Sequence, residues 1–526
     1  MKQNLESLSP FELNLYLESR MVHQDTNKEW LNAGRGNPNW TAPIPRAAYF
    51  LLGEFATTET MRKEKESIGT KIKEKVGQTA RFEEFINGKN SPGAQLLQDI
   101  WNDGSHLLGM PKETWLNQML DYSIGDNYPY PERVLTACEQ PIKQYLHHEL
   151  FDSNTVPFDI FAVEGGTAGI VYTFKSLVYN HLLEQHDKIA LMVPTFAPYM
   201  EIPELPEYGF DVEYIRAELM EIDGQRSYQF PVSELDRLRN KEIKAVFVVN
   251  PSNPTANAIY GDSIEQMKDI VKNDNPDLMI LSDDVYGTFL KEFTSLFTAI
   301  PYNTACIYSY SKYFGATGWR IGTIALAKEN IFDKRLRELP EAKKEALDER
   351  YGTLTSSPRE ILFIDRLVAD SRSVALNHAA GLSAPQQVMM TLFSLYALLD
   401  TEDEYKKGVM GICQTRGKLL YDSLEMSIPY KSLNTAYYCE IDFDWWMEKR
   451  YSLAFKSFVE ETWTMTDIVT KLAEEECLML LKAEAFGSSK WTVRVSLANL
   501  ETKAYKEIGE RVSSMMDRLY NDWKNN

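Results

Sequence analysis

The rhythm of hydrophobic and polar positions changes along this chain. Between Asp159 and Ala327, short apolar runs rich in β-branched residues recur as FDIFAVE, KIALMV, AVFVVN, LMILS, ACIYS and IGTIAL. Longer stretches of helical spacing separate them. Runs of this kind alternating with helices predict an α/β unit, a largely parallel sheet wrapped by helices. The loops at the carboxyl ends of such strands are where ligands bind. Beyond it, SAPQQVMMTLFSLYALL predicts a long helix bridging to a last unit. From about Asp400 to Asn526, helices alternate with a few strands, YYCEID and TVRVSL among them, which is the pattern of a small α+β domain.

Two stretches are polar instead. Thr57 to Asn90, with RKEKES and KIKEKV, predicts a solvated helical insertion. Residues 330–375, with LRELPEAKKEALDER, predict a second charged helical face. LNAGRGNPNW (Leu31 to Trp40) and DYSIGDNYPYP (Asp121 to Pro131) read as loops. The expected division is 1–120 as an N-terminal segment and insertion belonging to the small domain, 121–395 as the large domain, and 396–526 as the C-terminal small domain. Repeats and low-complexity tracts are not seen.

Composition narrows the class. A chain of 526 residues exceeds one ordinary domain and suits one large plus one small. The net charge of −20 argues against nucleic acid and anionic membranes as partners, because both call for basic patches. It leaves small anionic substrates open, since a site can be locally basic. The five cysteines are dispersed without a CxxC pair, which reads as reduced thiols and not as a disulfide framework or zinc site. His147, His148 and His378 lack partners at metal-ligand spacing, so no metal is expected. Trp445 and Trp446 read as packing residues. The N-terminus MKQNLESLSPFELNLYLESR has no basic-then-apolar signal pattern, and no apolar run approaches a membrane span. A cytoplasmic enzyme is expected.

The candidate chemistry centres on SYSKYFGATGWRIG, Ser309 to Gly322. Lys312 follows a strand in a small-residue loop, with Arg320 eight residues on. A partly deprotonated Lys312 can bond an aldehyde carbon. Arg320 offers a planar fork for a phosphate, and Ser309 a hydroxyl donor. Taken alone, the Lys–Arg pair reads equally as surface charge. Glu164-Gly165-Gly166-Thr167 follows the strand FDIFAVE and opens a helix, so its backbone N–H groups suit an anion; glycines also stand there for purely structural reasons. Asn253, in NPSNPT, can donate to a ring oxygen or simply form a turn. Asp283 ends the strand LMILS and can pair with a protonated pyridine nitrogen; the adjacent Asp284 leaves helix capping open for either carboxylate. Tyr286 is placed to hydrogen-bond the same ring oxygen.

The order GGTAG, NPSNPT, DDVYGTF, SYSKYFGATGWRIG and VRVSLA resembles the fold-type I pyridoxal-phosphate enzymes of the aspartate aminotransferase superfamily. The resemblance implies a large domain with a mostly parallel seven-stranded sheet, a smaller α+β domain, and pyridoxal 5'-phosphate as cofactor. It implies that Gly166, Thr167, Ser309 and Arg320 bind the phosphate and that Phe196 stacks on the pyridine. Asn253 and Tyr286 hold the ring oxygen, Asp283 pairs with the ring nitrogen, and Lys312 bonds the cofactor and moves the substrate's Cα proton. Arg494 grips the substrate α-carboxylate. Tyr128 or Tyr130 reaches a neighbouring subunit's phosphate, which implies at least a homodimer.

A narrower resemblance, carried by the chain's length, the insertion near 57–90, LNAGRGNPNW, GDNYPYP, PSNPTANAI and SYSKYFGATGWRIG, is to bacterial aspartate 4-decarboxylases. These are bifunctional with aspartate aminotransferase activity and assemble into dodecamers. The resemblance implies L-aspartate as substrate, L-alanine and CO2 as products, and 2-oxoglutarate as acceptor in transamination. Arg35, between Gly34 and Gly36, lies where related enzymes line the substrate mouth. It is expected either to orient the distal carboxylate or to be a solvated or interface arginine. A plain aminotransferase and a non-catalytic DNA-binding regulator are the rival readings. The regulator is disfavoured by the net charge of −20.

Overall fold

The computed structural model describes residues 5, 8, 10–21, 28–62, 75–125, 127–130, 132–152, 156–222, 224–372, 381–428 and 432–525. Its centre is a seven-stranded sheet in the order Phe158–Val163, Gly322–Ala327, Thr304–Ser309, Met279–Asp283, Ile243–Val249, Lys188–Val193 and Asp211–Arg216. Neighbours run parallel except Gly322–Ala327, which is antiparallel to both of its partners. The six apolar runs of the sequence are six of these strands, with almost every residue buried. Burial on both faces is why they read as continuous apolar runs. One face packs on Gly166–Tyr179 and Phe363–Ser371, and the other on Gly261–Asn273.

A second layer departs from the expected division. The helices Pro43–Met61, Gln78–Asn87, Pro92–Asn102 and Lys112–Ile124 share one core with Thr136–Glu149 and Ala384–Leu399 and with Tyr310, Tyr313 and Phe314. These four helices thus pack chiefly on the large domain. Only the first segment joins the small domain, where Leu13, Leu17, Leu31 and Ala33 enter its core. The physical reason is the apolar face of these helices, which packs against Ala384–Leu399. The Lys/Glu-rich run falls largely on residues 63–74, and His378 within 373–380; both lie outside the described residues.

The small domain holds a three-stranded sheet, ordered Tyr438–Asp442, Thr492–Ser496 and Leu481–Lys482, backed by Glu404–Ser423, Met465–Glu476 and Ala504–Asn525. Trp446 is buried in its core, as a packing residue should be, and Trp445 carries the Arg226 guanidinium 3.7 Å from its ring centre. The described residues of the polar stretch 330–375 include three α-helices, of which Phe363–Ser371 turns an apolar side to Gly166–Tyr179. Its buried Asp370 accepts from Arg350, Tyr351, Ser176 and Asn180. No described helix is long and apolar enough to cross a membrane.

Residues 31–46 run between the domains. Leu31–Asn32 pairs parallel with Leu478–Met479, and Asn39 N–H donates to the Ala498 carbonyl at 2.8 Å. On the other side Trp40 Nε1 donates to the Tyr313 carbonyl at 3.0 Å and Arg46 Nη2 to that of Gly315 at 2.9 Å. Gly315 has φ +57°, and a Cβ there would run into the Trp40 carbonyl, so both the backbone conformation and the close approach require glycine.

Candidate active site

The carboxyl ends of the central strands open on a cavity of about 350 Å³. Each strand delivers its motif there because the connection after it begins at the same edge of the sheet. The helix Gly166–Tyr179 starts at one end of the cavity, and Gly166 and Thr167 line it. Ser309, Ser311, Thr317 and Arg320 gather at that end. Ser309 Oγ donates to Ser311 Oγ at 2.9 Å, and Arg320 Nη1 donates to the Thr317 carbonyl at 3.1 Å. Gly165 has φ +86°, and a Cβ on it would lie 2.7 Å from Arg320 Nη2, so the bare glycine admits the guanidinium beside the helix start. Backbone amides, hydroxyls and one guanidinium facing the same space are a donor set that suits a phosphate.

Phe196 and Val285 line the middle, an aromatic and an aliphatic wall. Asp283 lies at its floor, 5% exposed, taking Val285 N–H at 3.2 Å and Tyr199 O–H at 3.4 Å. Burial pushes its carboxyl up to about 7, against the pull of the Val285 amide. A carboxylate so enclosed is costly, and a protonated ring nitrogen would relieve it. Asp284 faces the other way, into Ser282, Ser295 and Cys306. Strand parity thus separates the two, and neither caps a long helix.

Lys312 Nζ donates to the Gly36 carbonyl at 3.1 Å. Burial holds its ammonium below the ordinary range, helped by Arg494 and Arg320 and opposed by Tyr438 and Asp283. This favours the free amine a nucleophile or base needs. Arg494 enters from the small domain between the rings of Tyr438 and Phe486. Its Nη1 donates to Asn253 Oδ1 at 3.0 Å and its Nη2 to the Gly34 carbonyl at 2.7 Å, while the buried Nε has no hydrogen-bond partner among the described residues. Tyr286 hydroxyl stands 3.0 Å from that of Tyr438.

Gly36, Gly166, Thr167, Phe196, Asn253, Asp283, Tyr286, Ser309, Lys312, Arg320 and Arg494 therefore meet in one cavity. Arg35 does not: its guanidinium is 58% exposed and paired with Glu18 at 3.0 Å, drawn outward by that carboxylate. Tyr128 and Tyr130, 78% and 80% exposed, are not among the lining residues of this single chain. Sequence reasoning did not assign Tyr438, Asn37, Ser311, Thr317 or Val285 to the site. Four of these lie within the quoted motifs, whereas Tyr438 had only its place in the strand YYCEID as a signal. The donor set fits pyridoxal 5'-phosphate, with a cradle for phosphate, walls for a ring, a carboxylate for its nitrogen, phenol and amide for its oxygen, and an amine for its aldehyde.

Residues 105–512 match the family of class I and II aminotransferases. A Pseudomonas protein described as a bifunctional aspartate aminotransferase and L-aspartate beta-decarboxylase is 42% identical over 99% of this chain and 98% of its own length. An aspartate aminotransferase of Sulfurisphaera tokodaii is 30% identical over 28% of this chain and 36% of its own. Among solved structures, a double mutant of the Thermus thermophilus aspartate aminotransferase superposes with TM-score 0.61 at 13% identity, covering 98% of this chain and 99% of that one. The N-succinyldiaminopimelate aminotransferase of Mycobacterium tuberculosis gives 0.59 at 15%, over 98% and 100%. These last two speak for the fold alone. With most of its length matched and a close relative spanning nearly all of it, the chain belongs to the class I and II aminotransferase family.

Proposed function

We propose that the chain is a pyridoxal-phosphate enzyme that converts L-aspartate to L-alanine and CO2, with aspartate:2-oxoglutarate transamination as its second activity. The observation that carries this reading is end-to-end similarity to the bifunctional Pseudomonas protein, combined with a cavity in which Lys312 lies between two arginines, Arg320 and Arg494.

When bound, pyridoxal 5'-phosphate supplies an aldehyde for the substrate's amine and an electron-withdrawing ring. The chain supplies the rest. Gly166, Thr167, Ser309 and Arg320 would anchor the phosphate, and Asp283 would pair with a protonated ring nitrogen. Arg494 takes the α-carboxylate and so fixes Cα near Lys312, whose amine removes the Cα proton and later returns one. Release of CO2 from Cβ and release of oxaloacetate by water compete from a common point, and a shift of about 1.4 kcal/mol between the two barriers changes the product ratio tenfold. The residues around Cβ therefore set the outcome.

The working assembly is proposed to be at least a homodimer, extending to a dodecamer, with Tyr128 or Tyr130 serving the neighbour's phosphate. The proposed setting is the cytoplasm. The test is to incubate the cofactor-loaded protein with L-aspartate and no keto acid, beside a Lys312→Ala control. Sustained, equimolar alanine and CO2 that depend on Lys312 support decarboxylation. A single burst of oxaloacetate that resumes only when 2-oxoglutarate is added identifies an aminotransferase alone.

A further inference from the structure

Two phenols line the cavity, Tyr286 and Tyr438. Tyr438 begins the small-domain strand Tyr438–Asp442 and is 2% exposed. Its ring carries the Arg494 guanidinium, 4.5 Å from the centroid, and its hydroxyl meets that of Tyr286 at 3.0 Å. A Cβ built on Gly36 would lie 2.5 Å from the Tyr438 hydroxyl and 3.6 Å from Lys312 Nζ, so phenol and amine face the same short piece of backbone. The hydroxyl thus occupies the interval between the arginine proposed to hold the α-carboxylate and the lysine proposed to move the Cα proton. On the reading above, the substrate's Cα–Cβ bond would lie in that interval. The neighbouring Tyr437 is committed elsewhere, its hydroxyl donating to the Gly36 carbonyl at 2.9 Å. The serine and threonine hydroxyls of the cavity gather at the phosphate end, around Arg320.

We propose that Tyr438 donates the proton that replaces CO2 on the substrate's β-carbon. The inference rests on the decarboxylation reading above. The bond between Cβ and its carboxyl carbon breaks, CO2 leaves, and the electron pair ends in a new C–H bond formed with the Tyr438 proton. Lys312 is not available for this step, because the proton it carries goes back to Cα. The phenolate is held against the Arg494 guanidinium and the Tyr286 hydroxyl and regains its proton from water. That is the one proton the conversion of the aspartate monoanion to alanine and CO2 consumes. Placement of a single acid on one side of Cβ also gives the new methyl group one handedness.

Tyr438→Phe keeps the ring under Arg494 and removes only the hydroxyl. The expected loss in alanine and CO2 formation is about 10²–10⁴-fold, the span of a positioned general acid. Single-turnover oxaloacetate formation from aspartate is expected to stay within a few-fold of the parent, which moves the product ratio toward oxaloacetate. Absorbance titrations with pyridoxal 5'-phosphate and with maleate, an unreactive dicarboxylate, are expected to give unchanged affinities and show that the site is intact. Stereospecifically 3-deuterated L-aspartate turned over in tritiated water is expected to give alanine with a methyl group of one handedness from the parent and a mixture from the variant. Alanine formation by Tyr438→Phe at the parental rate with one handedness would overturn the proposal, as would an equal loss in both branches. A parent that makes no alanine at all would instead overturn the decarboxylation reading, and this proposal with it.

Discussion

Arg494 joins the two domains through Asn253, its Nη1 donating to Oδ1 at 3.0 Å. The same guanidinium reaches the Gly34 carbonyl, so a strand of the small domain, a loop of the large sheet and the N-terminal segment are held by one side chain. Lysine cannot reproduce a planar fork. Arg494→Lys is expected to weaken aspartate by about 2–4 kcal/mol, seen as a KM higher by at least tenfold with the bound-cofactor spectrum retained. An unchanged KM would place the α-carboxylate elsewhere.

Asp283 gives a pH dependence whose sign can be worked out. Burial raises its folded-state value from 3.8 to about 7, so the folded protein holds this proton more tightly than the unfolded chain does. Its contribution to stability is greatest below about pH 4 and is withdrawn as pH rises toward 7. A cationic ring nitrogen removes that penalty, worth on the order of a few kcal/mol. The rise in Tm on adding pyridoxal 5'-phosphate should therefore be larger at pH 8 than at pH 5. In Asp283→Asn the difference between the two pH values should shrink, and equal differences in both proteins would count against the pairing.

Gly315 is a test of the backbone. Alanine there meets the Trp40 carbonyl at a φ of +57°, which combines left-handed strain with overpacking. Gly315→Ala is expected to lose about 2–4 kcal/mol in denaturant unfolding. A loss below 1 kcal/mol would mean that the 40–46 segment gives way easily.

Arg35 is paired with Glu18 on the surface, and exposed pairs of this kind contribute about 1 kcal/mol or less. Arg35→Ala is expected to leave aspartate KM and the alanine-to-oxaloacetate ratio within about fivefold of the parent. A larger shift in either would show that Arg35 leaves Glu18 when substrate binds.

What could be read from the sequence follows from what each signal depends on. Strands buried on both faces appear as apolar runs, and six of seven were visible. The seventh, Asp211–Arg216, is an edge strand whose Asp211 and Arg216 are exposed and whose Glu213 pairs with Arg237, so its polar outer side hides it. Helices 43–124 show an apolar face but nothing in such a face names its partner, and they joined a different domain from the expected one. Site residues carried by strand-end motifs were legible because their neighbours in sequence are also neighbours in space. Tyr438 was not: only the pairing of its strand with the one holding Arg494, and the bare Gly36 opposite, bring its hydroxyl into the cavity.

The segment 31–46 works as a lever with two fixed points. Its first part is zipped to Leu478–Met479 and Ala498, and its last part is bolted to the backbone just after Lys312. Within the part tied to the small domain, between Ala33 and Asn39, stands the Gly36 carbonyl, which takes hydrogen bonds from both Lys312 and Tyr437. Any rotation of the small domain is geared through this segment to that one oxygen. A shift of the small domain would carry that oxygen with it and so change the hydrogen bond that holds the Lys312 amine.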